Sequence, residues 1–269
     1  MSEEVGVSKA VQVRGLRKRF GTVEALRGLD IDIEPGAFYA LLGPNGSGKS
    51  TTISILSGVY EADDGQVRLL GRDPAVEPLA LKARIGVVPE ELMLFERLTG
   101  RQYLVFCGRM YGLAGGEAAA RAQELLRLID LESAASEMIV GYSKGMRRRL
   151  AIAAALVHAP RLVFLDEPFE GIDVIAAGVI RDLLAELARR GVSILLTTHV
   201  LEIADRLATH AGIINEGRML DVGSLKELFS RHEAGCLGEV FEKLVGVPAS
   251  RRAKLSFFSG EPQAYPAEK

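Results

Sequence analysis

This chain has little of several things, and each shortage excludes a class of protein. Its 269 residues carry two cysteines, Cys107 and Cys236, far apart in sequence. Such a pair makes neither a disulfide framework nor a cysteine zinc site, so a reducing compartment is the default. Net charge is nearly absent, since 33 basic residues against 35 acidic ones leave −2. That balance gives no electrostatic reason to expect nucleic acid or anionic lipid as a partner. Long apolar runs are missing too. The longest clean one, Leu150 to Val157, falls far short of the ~20 residues that span a bilayer. The opening MSEEVGVSKA is acidic and lacks the apolar core of a signal peptide. No sustained heptad pattern runs along the chain, which rules out a coiled-coil arm. What is present is a globular balance of 48% hydrophobic and 25% charged residues, ample for a sizeable core. The length fits one large α/β domain or a domain with an appendage. The expectation is a chain that does not itself cross a membrane.

The richest stretch is Ala40-Leu41-Leu42-Gly43-Pro44-Asn45-Gly46-Ser47-Gly48-Lys49-Ser50-Thr51. A short apolar strand runs into a glycine-rich loop ending in Gly-Lys-Ser, and an apolar-periodic run follows through Ile53, Ile55 and Leu56. This is the full phosphate-loop pattern between a strand and a helix. Gly43, Gly46 and Gly48 let backbone N–H groups turn inward around phosphate oxygens. The helix that follows points its positive end at the same place. Lys49 reaches the β- and γ-phosphates, and the Ser50 hydroxyl is placed for Mg²⁺. A nucleoside triphosphate is the expected ligand.

The rest of the chain reads as α/β. Val11, Val13, Leu29, Ile31 and Ile33 alternate with polar residues as strands do. Phe20, before Gly21, has two readings, a core aromatic or a stacking platform for a base, and the local sequence favours core. Asp63-Asp64-Gly65 predicts a turn before a strand over Gln66 to Leu70, and Ile85 to Val88 a buried strand. Helical periodicity covers Thr99 to Tyr111, Glu117 to Asp130 and Ser143 to His158, with breaks at Gly112 and Gly115-Gly116. This block reads as a helical insertion between two α/β blocks. Leu162 to Asp166 is an apolar strand ending in Asp166-Glu167-Pro168. Acids at the end of a buried parallel strand stand on the ligand edge of the sheet. Asp166 suits Mg²⁺ through its water shell, and Glu167 suits polarising the attacking water. A helix over Ile175 to Arg190 and a strand over Val192 to Thr197 bring His199 to the same edge.

These motifs, with Tyr142-Ser143-Lys144-Gly145-Met146 shortly before Asp166, resemble the nucleotide-binding subunits of ATP-binding cassette (ABC) transporters. Taken alone, Ser-x-Gly before a helix is an ordinary N-cap. Between a phosphate loop and Asp-Glu-Pro it is similar to the family signature, usually Leu-Ser-Gly-Gly-Gln. The resemblance covers roughly Ser8 to Arg231. It implies an α/β P-loop NTPase (RecA-like) core with an antiparallel β subdomain and an inserted helical subdomain at about 92–158. The cassette would occupy 8–231, and 232–269 would hold a C-terminal helix around Glu239 to Leu244 and a loose tail from Val247, where Phe257-Phe258 reads as part of a disordered end more readily than as a docking element. In the family, a groove beside the helical subdomain receives a helix of the membrane subunit; the matching segment is Glu90 to Thr99, whose Met93, Leu94 and Phe95 either face outward as that surface or pack under the helices.

What the resemblance implies for the site is specific. ATP and Mg²⁺ are the cofactors. Gly43, Pro44, Asn45, Gly46, Ser47, Gly48, Lys49, Ser50 and Thr51 hold the nucleotide, and Phe20 now resembles the aromatic that stacks on adenine. Ser143 and Gly145 meet the γ-phosphate bound to a second cassette, with Asp173 on the loop between the protomers. Glu167 and His199 are the catalytic pair, while Ser50, Asp166 and Glu90 serve the metal. Two departures stand out. Lys144 and Met146 replace Gly and Gln, a variation associated with subunits of export systems, and Glu90 stands where the family usually has glutamine. The implied protein is a peripheral ATPase at the cytoplasmic face of a membrane, paired with a separate membrane-spanning subunit and a second cassette, without nucleic acid. Its rivals are a soluble cassette acting on DNA or ribosomes and a non-hydrolysing regulatory cassette.

Overall fold

Alternation builds the first layer. Val11, Val13 and Leu16 on Val11–Phe20 (β1), and Leu26, Leu29, Ile31 and Ile33 on Val23–Ile33 (β2), are all buried. The computed structural model, which describes residues 9–246, pairs the two strands antiparallel with Val13 opposite Ile31. Ser8, the tail from Val247 and Phe257-Phe258 lie outside the described residues. Phe38–Leu42 (β3) is buried at every position, as a strand covered on both faces must be. After the glycine-rich loop comes Lys49–Leu56 (α1).

Asp64–Leu69 (β4) then pairs with β1, giving a sheet in the order β2-β1-β4. The strand therefore begins inside the expected Asp63-Asp64-Gly65 turn. Gly65, at φ 102°, presses against the β1 backbone at Gly15 and Leu16, so here glycine permits close strand approach instead of reversing the chain. A short helix that periodicity did not announce, Pro78–Lys82 (α2), precedes Ile85–Val88 (β5).

Three helices follow: Gly100–Met110 (α3), Gly115–Leu128 (α4) and Lys144–Leu156 (α5). Gly115 and Gly116 open α4 where a break was expected, in a first turn whose N–H groups have no intrahelical partner in any case. Leu104, Leu126, Leu150 and Ile152 from these helices share one core cluster with Val163 and Leu165.

The remaining elements are Leu162–Asp166 (β6), Val174–Arg189 (α6), Ser193–Thr198 (β7) and Leu201–Leu207 (α7), then His210–Asn215 (β8), Arg218–Ser224 (β9), Leu225–His232 (α8) and Leu237–Val245 (α9). The second sheet runs β5-β6-β7-β3-β8-β9, parallel except for β9 on β8. Helix α1 lies between the sheets, with Ile53 and Leu56 packed among Val11, Ile31, Tyr39 and Phe164. The terminal helix is longer than expected and docks through Leu237 and Val240 onto Ala204 and Leu228. For the site, the essential result is the central order β6-β7-β3. It brings the carboxyl ends Asp166, Thr198 and Leu42 side by side, with Asp166 opposite Thr197 and Leu42 opposite Thr198.

Candidate nucleotide site

The loop between β3 and α1 has the shape its glycines allow. At Gly43 a Cβ would collide with the Ile214 carbonyl, and Gly48 at φ 109° packs against Leu26 and the Ala25 carbonyl. Lys49 is buried, and its ammonium donates to the carbonyls of Gly43 at 2.8 Å and Pro44 at 3.2 Å. The Ser47 side chain is buried beneath the loop, and its N–H donates to Pro44 O at 3.2 Å.

Across from the loop stand the acids. Ser50 Oγ donates to Asp166 Oδ1 at 3.2 Å, with Glu90 Oε2 at 3.4 Å. Burial pushes the Asp166 carboxyl above its ordinary value, and hydrogen bonds from Thr197 and Ser50 oppose that rise. Glu167 is buried, and its Oε1 is 3.7 Å from Lys49 Nζ. Its Oε2 meets His199 Nδ1 at 3.0 Å and accepts from the His199 N–H at 3.3 Å. Glu167 Oε1 has no hydrogen-bond partner. A buried carboxylate oxygen left free, beside a lysine and a histidine, has the geometry to accept a proton from water.

Asn45, Gly46, Gly48, Lys49, Ser50, Thr51, Glu90, Glu167 and His199 line one cavity of about 340 Å³. Gly43, Pro44, Ser47 and Asp166 are not in that lining; Gly43 and Pro44 accept from Lys49, and Asp166 accepts from Ser50. Ser143, Gly145 and Asp173 do not reach it. They form a second cluster, where Ser143 Oγ caps α5 by accepting from Met146 N at 3.2 Å and Asp173 Oδ1 caps α6 by accepting from Ala176 N at 2.8 Å. That backbone N–H holds the Asp173 carboxyl below its ordinary value. A Cβ on Gly145 would sit 3.3 Å from Ala176 Cβ and 3.5 Å from Asp173 Oδ2. Phe20 overturns the local expectation of a core residue: it is 42% exposed and stands edge-on to Tyr60 at 5.3 Å, with no place in the cavity lining. Charge and solvent explain the difference, since β1 ends at Phe20 with Lys18 Nζ 5.6 Å from the ring.

The donors at Ser50, Asp166 and Glu90 are all oxygen, the ligand type Mg²⁺ takes. No group of three His, Cys, Asp or Glu side chains makes a metal centre on its own among the described residues. A divalent ion here would complete its shell with water or nucleotide oxygens. Sequence reading missed Thr197, Glu170 and Arg148. Thr197 is legible only once β7 is known to neighbour β6. Glu170 lies on the cavity wall, three residues beyond Glu167.

A phosphate cradle at the carboxyl edge of a parallel sheet, with adjacent acids facing a buried lysine, defines a P-loop nucleoside triphosphatase. The family model described as "ABC transporter" matches residues 26–170. The linearmycin resistance ATP-binding protein LnrL of Bacillus subtilis is 38% identical over 82% of this chain and 71% of its own length. The daunorubicin/doxorubicin resistance ATP-binding protein DrrA of Streptomyces peucetius is 40% identical over 83% of this chain and 68% of its own. Among solved structures, an ATP-binding subunit of an ABC transporter superposes with a TM-score of 0.81 at 30% identity, covering 88% of this chain and 99% of that one. A dimeric ATP-binding cassette in a post-hydrolysis state with ADP and Pi gives a TM-score of 0.73 at 25% identity, over 80% of this chain and 98% of that one. The chain belongs to the ABC transporter family, as one of its export-type subunits that bind and hydrolyse ATP. These likenesses do not favour the rival readings of a cassette for DNA or ribosomes or of a non-hydrolysing one. No helix among the described residues is long and apolar enough to cross a membrane.

Proposed function

We propose that this ATPase drives export through a separate membrane-spanning subunit by closing and opening a pair of cassettes around Mg²⁺-ATP at the cytoplasmic face. The cassette is residues 8–231, with a helical subdomain at about 92–158. Gly43 to Thr51 cradle the phosphates, Lys49 neutralises them, and Phe20 stacks on adenine. Ser50, Asp166 and Glu90 would hold Mg²⁺, which when bound would supply charge stabilisation at the phosphates. Glu167 accepts the proton of the attacking water, and His199 orients Glu167 and contacts the γ-phosphate.

The observation that carries this reading is the buried Glu167 carboxylate, with Oε2 on His199 Nδ1 and Oε1 facing Lys49 at 3.7 Å without a hydrogen-bond partner. The dimer is supported by the separation of two clusters. Ser143, Gly145 and Asp173 gather at helix N-termini, a setting suited to an anion, yet they lie outside the cavity that holds Lys49. One chain thus carries two halves of a phosphate site that do not meet within it. Export is supported by relatives such as the Nod factor export ATP-binding protein I of Paraburkholderia xenovorans, 36% identical over 92% of this chain and 80% of its own length.

Glu167→Gln tests the reading. It should lower steady-state hydrolysis by about 10²–10⁴, the worth of one positioned base, and leave ATP binding intact. The variant should run as a dimer with ATP and as a monomer without it in size-exclusion chromatography with light scattering. Near-normal turnover, or a monomer in ATP, would overturn the assignment.

A further inference from the structure

Helix α5 carries an arginine that none of the roles above uses. Arg148 is 2% exposed, so its charge has been taken out of water. No carboxylate pairs with it directly among the described residues. Instead its guanidinium forks onto two consecutive backbone carbonyls, Nη1 donating to Pro89 O at 2.9 Å and Nη2 to Glu90 O at 3.0 Å. Its Nε has no partner. A buried cation held only by neutral acceptors is costly unless its surroundings are negative. The charges that favour it are Glu170, Glu90, Asp166 and Glu167, the acids of the nucleotide site.

The fork grips the backbone of the very residue whose carboxylate comes within 3.4 Å of Ser50 Oγ. Pro89 and Glu90 follow β5 directly, and Glu90 is exposed. The hydrogen bond at the tip of the Glu90 side chain is long, so the carboxylate does not fix the loop by itself. Two parallel bonds from a planar guanidinium fix direction as well as distance, which a lysine ammonium does not do.

We propose that Arg148 is a positioning residue for the metal corner of the site: by clamping the Pro89 and Glu90 carbonyls it sets the Glu90 carboxylate beside Ser50, where Mg²⁺ is held. This rests on the reading that Ser50, Asp166 and Glu90 serve the metal. Arg148 touches neither nucleotide nor ion and acts only through Glu90. Groups that orient ligands in this way are worth about 10–100-fold in metal affinity.

The test uses the full chain with Arg148→Lys, Glu90→Ala and the double variant. Fluorescent-ATP affinity is titrated against Mg²⁺ and again in EDTA, beside Mg²⁺-dependent hydrolysis and a thermal melt. Arg148→Lys keeps the charge and loses the fork. It should raise the Mg²⁺ concentration for half-maximal effect by about tenfold or more, leave Mg²⁺-free nucleotide affinity unchanged, and add nothing to Glu90→Ala in the double variant. Alanine is used because the glutamine common in the family would keep an oxygen donor at this position. If Glu90→Ala shifts the Mg²⁺ requirement and Arg148→Lys does not, the positioning role is wrong. The same holds if Arg148→Lys weakens nucleotide binding equally with and without Mg²⁺, since that is general damage. If Glu90→Ala shifts nothing, Glu90 is no metal group, and the inference falls with that reading.

Discussion

Lys49 and Glu167 make the site's economy of charge visible in single residues. A buried ammonium needs acceptors, and Lys49 finds two loop carbonyls, with the Glu167 carboxylate 3.7 Å away as a counter-charge. Phosphate oxygens are stronger acceptors in the same direction, so the side chain is already aimed. Glu167 holds a left-handed backbone, φ 45°, immediately before Pro168. That conformation costs about 1–3 kcal/mol for a non-glycine residue. Its N–H bonds to Thr197 O and Oγ1, both at 3.1 Å, help to hold it there. Lys49→Ala should weaken fluorescent-ATP binding by about 10–100-fold, the worth of one or two charge-assisted hydrogen bonds. Unchanged affinity would mean that the loop is not the main phosphate site. Residues of this kind were legible beforehand because Gly43 to Thr51 and Asp166-Glu167 carry their chemistry within a few consecutive positions. Thr197 and Arg148 were not legible, because they enter the site through strand order and helix packing.

Among the elements, long periodic ones were readable and short or edge ones were not. Helix α6 was expected over Ile175 to Arg190 and runs Val174–Arg189. Helices α2 and α7 are too short to establish a period. Strand β9 lies at the sheet edge with exposed and half-buried positions, so it lacks the apolar run that marks β3. The end of α5 shows how elements are tied by one side chain. His158 Nε2 bonds Ile85 O at 3.1 Å on β5, and its ring stacks on Tyr111, beyond α3, at 3.7 Å between centroids. Burial lowers the His158 pKa from its ordinary value of 6.5, and Nδ1 is buried without a partner. With Nε2 bearing the hydrogen toward Ile85, a second proton would have no acceptor. The folded chain therefore binds this proton less readily than the unfolded chain. The resulting stability is fully present above about 6.5 and is lost as pH falls through that value toward the folded pKa. His158→Gln should flatten the melting profile as pH falls below about 6.5. An unaltered slope would remove His158 as its source.

At the scale of the whole molecule, the surface poses the last question: where a membrane-spanning subunit would grip. Between β5 and α3 the chain passes through Leu92, Met93, Leu94 and Phe95, and the residues alternate in what they touch. Leu92, Leu94 and Leu98 pack on the core of the helical block. Met93 is 91% exposed and Phe95 56% exposed. Sequence reading left open whether these apolar residues pack under the helices or face outward, and they divide between the two. Phe95 stands edge-on to Phe106 at 5.3 Å and Tyr103 at 6.2 Å, so three aromatics make a connected patch beside the Glu90 loop. An exposed aromatic cluster of this kind is the type of surface that interaction sites use, and Phe95 lies five residues past Glu90 in sequence. Phe95→Asp should lose about 1 kcal/mol from the broken aromatic pairs, a melting shift of about 2–4 °C in a chain of this size. ATP-induced dimerisation should persist, because the Phe95 ring packs on Phe106 and Tyr103 and the substitution leaves Ser143, Gly145 and Asp173 unchanged. Capture of the membrane-spanning subunit in a pull-down should fall by about tenfold or more, as for a central interface aromatic. Retained capture would exclude this patch as the docking surface, and a much larger melting shift would reassign Phe95 to the core.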